Sequence, residues 1–201
     1  MISLDAARAE LERVARLRRG DQPALEEIVA QYWSSIVRYV DRLVHDRDVA
    51  EDVAQTAFVR LWQIRDTITA NASVAAILYR SARSLAIDEL RKAETRRLGG
   101  VARIAREARP PETPSEAFEH GELGIAIEGA LAALPARRRE AFVLYHLHNQ
   151  SYRQIAEIMD IAPQVVANYI SAALAELRSR LRVEIADYLE TRSNEPPRPR
   201  L

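Results

Sequence analysis

Residues 151–170 read SYRQIAEIMDIAPQVVANYI. Ser151 can cap a helix, and Gln154, three residues later, can close a capping box with it. Asp160 falls where the chain must turn, because aspartate tolerates a left-handed backbone better than most residues other than glycine. Pro163 suits the first turn of a second helix, where its missing N–H is no loss. The stretch therefore predicts a helix-turn-helix.

The apolar residues of this stretch support the same prediction. Ile155, Ile158 and Met159 form one stripe at helical spacing. Val166 and Ile170 would pack the second helix back onto the first. In a DNA-binding motif of this kind the second helix lies in the major groove. An ordinary αα-hairpin without a DNA-binding role gives the same pattern and stays open at this point.

Composition predicts a protein with one or two small domains. The chain has 201 residues, of which 48% are hydrophobic and 29% are charged, enough for domains with their own cores. It has no cysteine, which excludes disulfides and thiolate metal sites. The first ten residues form a charged helical pattern rather than a signal peptide, and no apolar run reaches membrane-spanning length. These features predict a soluble, cytoplasmic protein.

The net charge of the chain is zero, but the charges are unevenly distributed. Acidic and basic residues number 29 each. Residues 21–60 carry eight acids and four arginines, whereas residues 76–108 carry eight bases and four acids. An acidic surface beside a basic one suggests two partners of opposite charge. Solvated helix surface would produce the same charge runs, so both interpretations stay open.

The sequence predicts an all-α fold with two small helical domains joined by a flexible linker. Residues 3–97 are helical throughout except for a loop at 63–73, which lacks apolar periodicity. Gly99-Gly100 and the prolines within 110–114 interrupt the helical pattern. The predicted boundaries are 1–97 for the first domain, 98–122 for the linker, 123–188 for the helix-turn-helix domain and 189–201 for a disordered tail.

Two further helix starts can be predicted. Asp48 and Glu51 can form a capping box for a helix that runs to residue 62. Pro135 opens another helix in the second domain. The buried face of the first of these helices would consist of four apolar residues at helical spacing: Val53, Ala57, Phe58 and Leu61.

Motifs in a fixed order resemble those of bacterial sigma factors. Residues 48–62, DVAEDVAQTAFVRLW, closely resemble the family helix D-x-x-D-A-E-D-V-x-Q-E-x-F-x-R-x-W. Residues 78–91, LYRSARSLAIDELR, resemble the helix that follows it, and residues 131–181 resemble the family's C-terminal domain. Upstream, LRRGD at 17–21 matches the common opening L-x-x-G-D. The similarity covers nearly all of residues 14–185 and points to group IV, the extracytoplasmic-function (ECF) class.

The resemblance implies a transcription initiation factor that binds core RNA polymerase, directs it to promoters and assists melting at the −10 element. The helix at 48–62 corresponds to the surface that grips the β′ clamp helices, and the β flap is a second implied contact. The implied polymerase-binding residues are Asp48, Glu51, Asp52, Gln55, Arg60 and Trp62. The first four fall at i, i+3, i+4 and i+7, which places them on one face of a helix.

The resemblance also implies that the helix at 77–97 and the loop before it face the −10 element of promoter DNA. Basic side chains would contact phosphates, which position DNA without specifying its sequence, and the loop would capture a base flipped from the non-template strand. The implied −10 residues are Asn71, Ser73, Arg80, Arg83, Ser84, Arg91 and Lys92, with Arg96 and Arg97 as further bases. Ile77 stands where the family usually has Trp. Ser84 stands where many members have Asn, which leaves the preferred −10 base open.

The second helix of the helix-turn-helix is implied to read the −35 element. The implied residues are Arg153, Gln164, Val165, Asn168, Tyr169 and Ser171. The amides among them can read adenine edges. Three positions where the family usually has bases are Ala167, Tyr169 and Ala172, so the helix has few phosphate anchors. Residues 166–174 also resemble the iron-uptake-type subgroup, whose factors are controlled by a membrane regulator. An anti-sigma factor, membrane-bound in that subgroup, is thus a further implied partner.

Other classes of function have less support. His146 and His148 lie at i, i+2, on different faces of a helix, and no nucleophile–base pair or glycine-rich phosphate loop is present. The sequence therefore predicts no enzyme, no metal site and no cofactor. Two alternatives stay open. A sigma-like decoy would sequester an anti-sigma factor without directing transcription, and its recognition helix could be poor in bases. A dimeric helix-turn-helix regulator would leave the acidic helix unexplained.

Overall fold

The computed structural model describes residues 4–98 and 122–193, and it confirms the predicted all-α fold. No strand occurs within these ranges. The helices are α1 (Leu4–Arg18), α2 (Gln22–Val44), α3 (Arg47–Gln63), α4 (Val74–Leu98), α5 (Glu122–Ala132), α6 (Ala136–His146), α7 (Tyr152–Met159) and α8 (Pro163–Ser193). The predicted linker, apart from its first and last residues, lies outside the described ranges, as do residues 194–201 of the predicted tail.

Helix starts follow local sequence signals, with one correction. Ahead of α7, the Ser151 hydroxyl accepts from the Gln154 N–H, and the Gln154 side chain accepts from the Ser151 N–H, which confirms the capping box. α3 is capped by Asp46, whose carboxylate accepts from the Val49 N–H at 3.1 Å. The prediction that Asp48 caps α3 is wrong, because Asp46 holds the extended backbone of the cap (φ −148°) and Asp48 lies in the first turn.

The last helix is longer than predicted. α8 begins at Pro163, as the sequence indicates, and continues to Ser193. Residues 189–193, predicted to belong to a disordered tail, are therefore helical. Neither proline nor glycine occurs between residues 164 and 193, so nothing in the local sequence ends the helix earlier.

Two of the sequence signals, Asp160 and the LRRGD motif at 17–21, lie in turns between helices. Asp160 takes the predicted left-handed backbone, at φ 53°, between α7 and α8. The LRRGD motif forms the turn between α1 and α2. There Leu17 is fully buried and Gly20 has φ +79°, a conformation that glycine adopts without a steric penalty. The Asp21 carboxylate then pairs with Arg16 Nε at 2.6 Å, which ties the start of α2 to the end of α1.

Spatial contacts divide the chain into two compact units. The first holds the described residues up to 98 together with 150–162, and the second holds 122–149 and 163–193. This grouping places α7 with the N-terminal helices, although the sequence assigns it to the predicted domain at 123–188. The predicted domain boundaries stay a prediction.

The first unit is built on α2, α3 and α4, which pack against one another, while α1 packs against α2. The four apolar residues of α3 that were predicted to face the core are buried. Tyr39 of α2 meets Tyr79 of α4 edge-on, with ring centroids 5.1 Å apart, and Trp33 stacks on Phe58 at 5.9 Å. Such aromatic pairs contribute about 0.5–1.5 kcal/mol beyond area burial. They hold the inner faces of α3 and α4 in the core and leave their outer faces to solvent.

The second unit packs α5 and α6 against α8. One buried apolar cluster of this unit has Phe142 and Leu181 packed against it and contains five residues: Ala130, Leu131, Leu134, Ala173 and Leu177. Arg139 Nη1 donates to the Ala132 carbonyl at 2.9 Å, which satisfies a backbone acceptor at the end of α5.

Within the described ranges no single helix is long and apolar enough to cross a membrane. Counted together, α7 and the part of α8 up to Arg182 are long and apolar enough for a membrane span by length and composition alone.

Two tyrosines make the stability of the first unit sensitive to alkaline pH. Burial raises the pKa of Tyr32 to about 12, and burial also raises the pKa of Tyr79 above its ordinary value of 10.0, although a hydrogen bond with Ser35 opposes that shift. Above pH 10.0 the unfolded chain loses these protons while the folded chain keeps them, so the free energy of unfolding falls as the pH rises through 10.0 toward about 12. We expect the urea midpoint to fall less steeply over this pH range in a Tyr32→Phe/Tyr79→Phe variant than in the unmodified protein. Equal slopes would contradict this assignment.

Candidate polymerase and nucleic-acid interfaces

α3 presents an acidic face to solvent. The four predicted residues at i, i+3, i+4 and i+7 are all exposed: Asp48, Glu51, Asp52 and Gln55. Ala50, Val53 and Ala54, which lie between them, are buried, so the helix has one face in the core and one in solvent. Glu51 pairs with Arg47 at 2.9 Å, and the two side chains are 48% and 49% exposed. An exposed pair of this kind contributes little to stability, so it leaves Glu51 available to a partner.

The end of α3 carries the other two predicted polymerase-binding residues. Arg60 is exposed, and Trp62 is half-buried. The Arg65 guanidinium lies 4.4 Å from the centre of the Trp62 ring, and Arg65 Nη1 donates to the Trp62 carbonyl at 2.8 Å. This cation–π contact and hydrogen bond fix the indole at the end of the acidic face.

A groove of about 250 Å³ continues the acidic face from α3 to α4. Asp52 and Val53 line it from α3, and Leu85 and Glu89 line it from α4. Carboxylates above an apolar floor suit the aliphatic stem and charged end of a basic side chain. Sequence reasoning missed Leu85 and Glu89, because it treated α4 only as a basic helix. Their i, i+4 spacing, which places them on one face of α4, is the signal that could have found them.

The predicted base-contacting residues of α4 and of the loop before it differ in exposure and in hydrogen bonding. Asn71 and Ser84 are exposed. The Ser73 hydroxyl oxygen accepts from the Ala76 N–H at 3.2 Å, which caps the start of α4. It also accepts from Gln154 Nε2 at 2.8 Å. Ser73 is therefore already engaged by two donors in this structure.

The bases of α4 are partly neutralised by acids on the same helix. Arg91, Lys92 and Arg97 each pair with the acid three residues earlier, at 3.5, 2.8 and 3.0 Å. Arg80 is exposed and makes no ion pair with any described residue. The net positive charge that the sequence indicates for this helix is thus concentrated toward its first half, near the loop.

The predicted −35 residues fall in both units. Arg153, on α7, belongs to the first unit, and the other five lie on α8 in the second. Gln164 and Asn168 are exposed, and Gln164 Nε2 donates to Asn168 Oδ1 at 3.3 Å, which aligns the two amides. Ser171 is exposed as well, whereas Val165 and Tyr169 are half-buried. An aligned amide pair on an exposed helix face has the chemistry to read base edges.

Known protein families match both the N-terminal and the C-terminal part of the chain. Residues 28–96 match the family model of sigma-70 region 2, and residues 125–177 match that of sigma-70 region 4. The ECF RNA polymerase sigma factor SigW of Bacillus subtilis (strain 168) is 30% identical over 179 residues, which cover 85% of this chain and 96% of SigW. The ECF RNA polymerase sigma-E factor of Escherichia coli (strain K12) is 27% identical over 190 residues, which cover 84% and 92% of the two chains.

Solved structures share the fold. CnrH in complex with the cytosolic domain of CnrY has a TM-score of 0.63 at 20% identity, covering 87% of this chain and 98% of that one. The sigma factor RpoE in complex with the anti-sigma factor NepR from Bartonella quintana also has a TM-score of 0.63, at 22% identity, covering 79% and 96%. The two family models and the relative SigW thus define a transcription factor of the RNA polymerase sigma class. The chain belongs to the sigma-70 family, in its ECF group, a family of non-catalytic transcription initiation factors.

Proposed function

We propose that this chain docks on core RNA polymerase through the outer face of α3 and then places α4 against the −10 element. The observation that carries the proposal is the exposed stripe on α3, with Asp48, Glu51, Asp52 and Gln55 opposite a buried apolar stripe. Such a stripe complements a basic partner helix, as on the β′ clamp. The groove toward Leu85 and Glu89 adds a socket for a basic side chain at the same interface.

DNA opening is assigned to the start of α4 and the loop before it. Arg80 is exposed and has no ion-pair partner among the described residues, so it is available to a phosphate. Asn71 offers an exposed amide to a flipped base, whose extrusion costs a few kcal/mol that the pocket must offset. Arg91, Lys92, Arg96 and Arg97 add exposed bases along the second half of α4, and the exposed ion pairs that three of them make leave them available to phosphates.

An anti-sigma factor is a further proposed partner. The structures of CnrH and RpoE that share this fold are complexes with CnrY and with the anti-sigma factor NepR. We propose that a protein of this type controls the present chain as well. Residues 166–174 carry the resemblance to the iron-uptake-type subgroup, which would make the regulator a membrane protein.

The proposal is tested by assembling the holoenzyme. The chain and core polymerase, mixed and separated by gel filtration, should co-elute, and the complex should bind a promoter fragment whose −10 non-template strand is unpaired. Core polymerase alone should not bind that fragment specifically. A sigma-like decoy, which the lack of basic side chains at residues 163–177 would allow, would bind an anti-sigma factor but give no promoter-binding complex.

The absence of basic side chains from residues 163–177 of α8 leads to a prediction about −35 DNA. Each phosphate contact adds about 0.9 to the slope of log affinity against log salt. Placing arginine at Ala167 and Ala172 should therefore steepen the slope for holoenzyme on −35 DNA by up to about two units. Substituting Asn168 with Ala should instead change which −35 sequence is preferred, because an amide reads base edges. A wild-type slope that is already steep and that the two arginines leave unchanged would show that the anchors lie elsewhere.

A further inference from the structure

Arg65, which follows α3, contacts both the Trp62 residue and the LRRGD turn between α1 and α2. Its Nη1 donates to the Trp62 carbonyl at 2.8 Å, which satisfies one of the carbonyls that the end of a helix leaves open. Its Cζ lies 4.4 Å from the centre of the Trp62 ring. A Cβ added at Gly20 would lie 3.6 Å from Arg65 Nε, so the guanidinium also packs against the turn. Arg65 is thus held between the indole and the turn.

The LRRGD turn is a fixed support for Arg65. Gly20 has φ +79°, and Leu17 at the start of the turn is fully buried. The Asp21 carboxylate, on the other side of Gly20, pairs with Arg16 Nε at 2.6 Å. Arg65 is itself half-buried. A guanidinium packed in this way against a fixed turn has little freedom to leave the indole ring.

The Trp62 indole continues the exposed face of α3. Gln55, Val59 and Trp62 fall at i, i+4 and i+7, along one side of the helix. Gln55 is exposed, Val59 is 50% exposed and Trp62 is half-buried. The acidic stripe therefore ends in an apolar edge formed by Val59 and Trp62. Tryptophan is one of the residue types that contribute most to affinity at protein interfaces, so the orientation of this indole matters for a partner.

We propose that Arg65 is a positioning residue for polymerase binding. It holds the Trp62 indole in the orientation that core polymerase binds, and the LRRGD turn holds Arg65. Arg65 acts through the indole and makes no contact with polymerase itself. An indole that is already fixed loses less conformational freedom on binding, which raises affinity. The inference rests on the proposed function, since it concerns the same face of α3.

Electrostatics alone would give Arg65 the opposite effect. Arg65 carries a positive charge at the end of an acidic face, and a basic partner helix would be repelled by that charge. Removing it would make the face more negative and would favour the partner. A positioning role predicts weaker binding instead, so the sign of the change in affinity separates the two.

The first test compares two variants that each lose one arginine charge. Arg65→Met keeps a long apolar side chain but removes the cation and its donors. It should bind core polymerase about two- to tenfold more weakly in biolayer interferometry, the range for ordering one side chain on binding. Arg19→Met, at an exposed position of the LRRGD turn, should not weaken binding. Binding by Arg65→Met as tight as that of the unmodified chain, or tighter, would overturn the inference and leave the proposed function standing.

The second test asks whether Arg65 acts through the indole. Trp62→Leu should weaken core binding, and adding Arg65→Met to Trp62→Leu should weaken it no further, because the side chain that Arg65 holds is gone. Additive losses would show that Arg65 works independently of Trp62 and would overturn the inference. So would a Trp62→Leu variant that binds core polymerase as tightly as the unmodified chain.

The third test observes the indole in the free chain. The chain has two tryptophans, Trp33 and Trp62, so Trp33→Phe leaves Trp62 as the only one. In that background the time-resolved fluorescence anisotropy of Trp62 should decay with the rotation of the whole chain. Arg65→Met should add a fast component, on the picosecond to nanosecond scale of exposed side chains, and Arg65→Lys should suppress most of it by keeping a cation over the ring.

The outcomes of this third test and of core binding are separable. Equal anisotropy decays with Arg65 and with Arg65→Met would overturn the inference, even where the unmodified chain binds core polymerase. Failure of the unmodified chain to bind core polymerase would overturn the proposed function and, with it, the role of Arg65 in binding.

Discussion

Replacing Glu51 and Asp52 with lysine is expected to abolish co-purification of the chain with core RNA polymerase. Both side chains are exposed on the outer face of α3, and the double substitution shifts the charge of that face by four. A basic partner helix would then meet like charges, which costs several kcal/mol and corresponds to an affinity loss on the order of a hundredfold or more. The measurement is gel filtration or affinity capture with purified core enzyme.

The control for this reversal is Glu26→Lys/Asp66→Lys. It makes the same change of charge at two exposed acids of the first unit that lie outside the α3 face. The control variant should co-purify with core enzyme as the unmodified chain does, and circular dichroism should show equal helicity for all three proteins. Undiminished binding by the Glu51→Lys/Asp52→Lys variant would remove α3 from the polymerase interface.

The second large effect is on stability, at the aromatic pair that joins α2 to α4. Tyr79 is 1% exposed and packs edge-on against Tyr39. Tyr79→Ala should lower the free energy of unfolding by about 3–5 kcal/mol, the range for truncating a buried aromatic side chain. Tyr79→Phe keeps the ring and should cost only about 0.5–1.5 kcal/mol through the hydrogen bond with Ser35. Urea unfolding monitored by circular dichroism measures both.

The adjacent residue supplies the contrast, because Tyr79 is buried in the core whereas the neighbouring Arg80 side chain is in solvent. Arg80 is exposed, so Arg80→Ala should change the free energy of unfolding by no more than about 0.5 kcal/mol. It should nevertheless weaken promoter binding by the holoenzyme and make the salt slope shallower by about one unit. A loss of stability in Arg80→Ala equal to that in Tyr79→Ala would contradict the division of α4 into a core face and a DNA face.

Local sequence signals predicted much of the fold because they act within one or two helical turns. The capping box of Ser151 and Gln154 and the buried stripe of α3 follow from residues three to four positions apart, and the left-handed turn at Asp160 follows from the backbone preference of aspartate itself. The same kind of signal failed at α3, where Asp46 and Asp48 compete for one cap. Only the backbone decides between them, and Asp46 is the residue in the extended conformation.

Contacts between distant residues could not be predicted in this way. Glu89 joins the acidic groove because α3 and α4 lie side by side, and nothing in the charge run of α4 indicates which neighbour it faces. The hydrogen bond from Gln154 to Ser73 spans 81 positions and depends on tertiary packing alone. Motif resemblance implied the residues of the −10 and −35 sites. Their exposure and the ion pairs that they make could be learned only from the structure.

The most direct test of the central claim, that this chain makes core polymerase promoter-specific, is run-off transcription on genomic fragments from its own source. Core polymerase supplied with the chain should give transcripts with discrete starts that core alone does not give. The Glu51→Lys/Asp52→Lys variant should not give them. Absence of any chain-dependent transcript, from a preparation in which the chain co-elutes with core polymerase, would contradict the account.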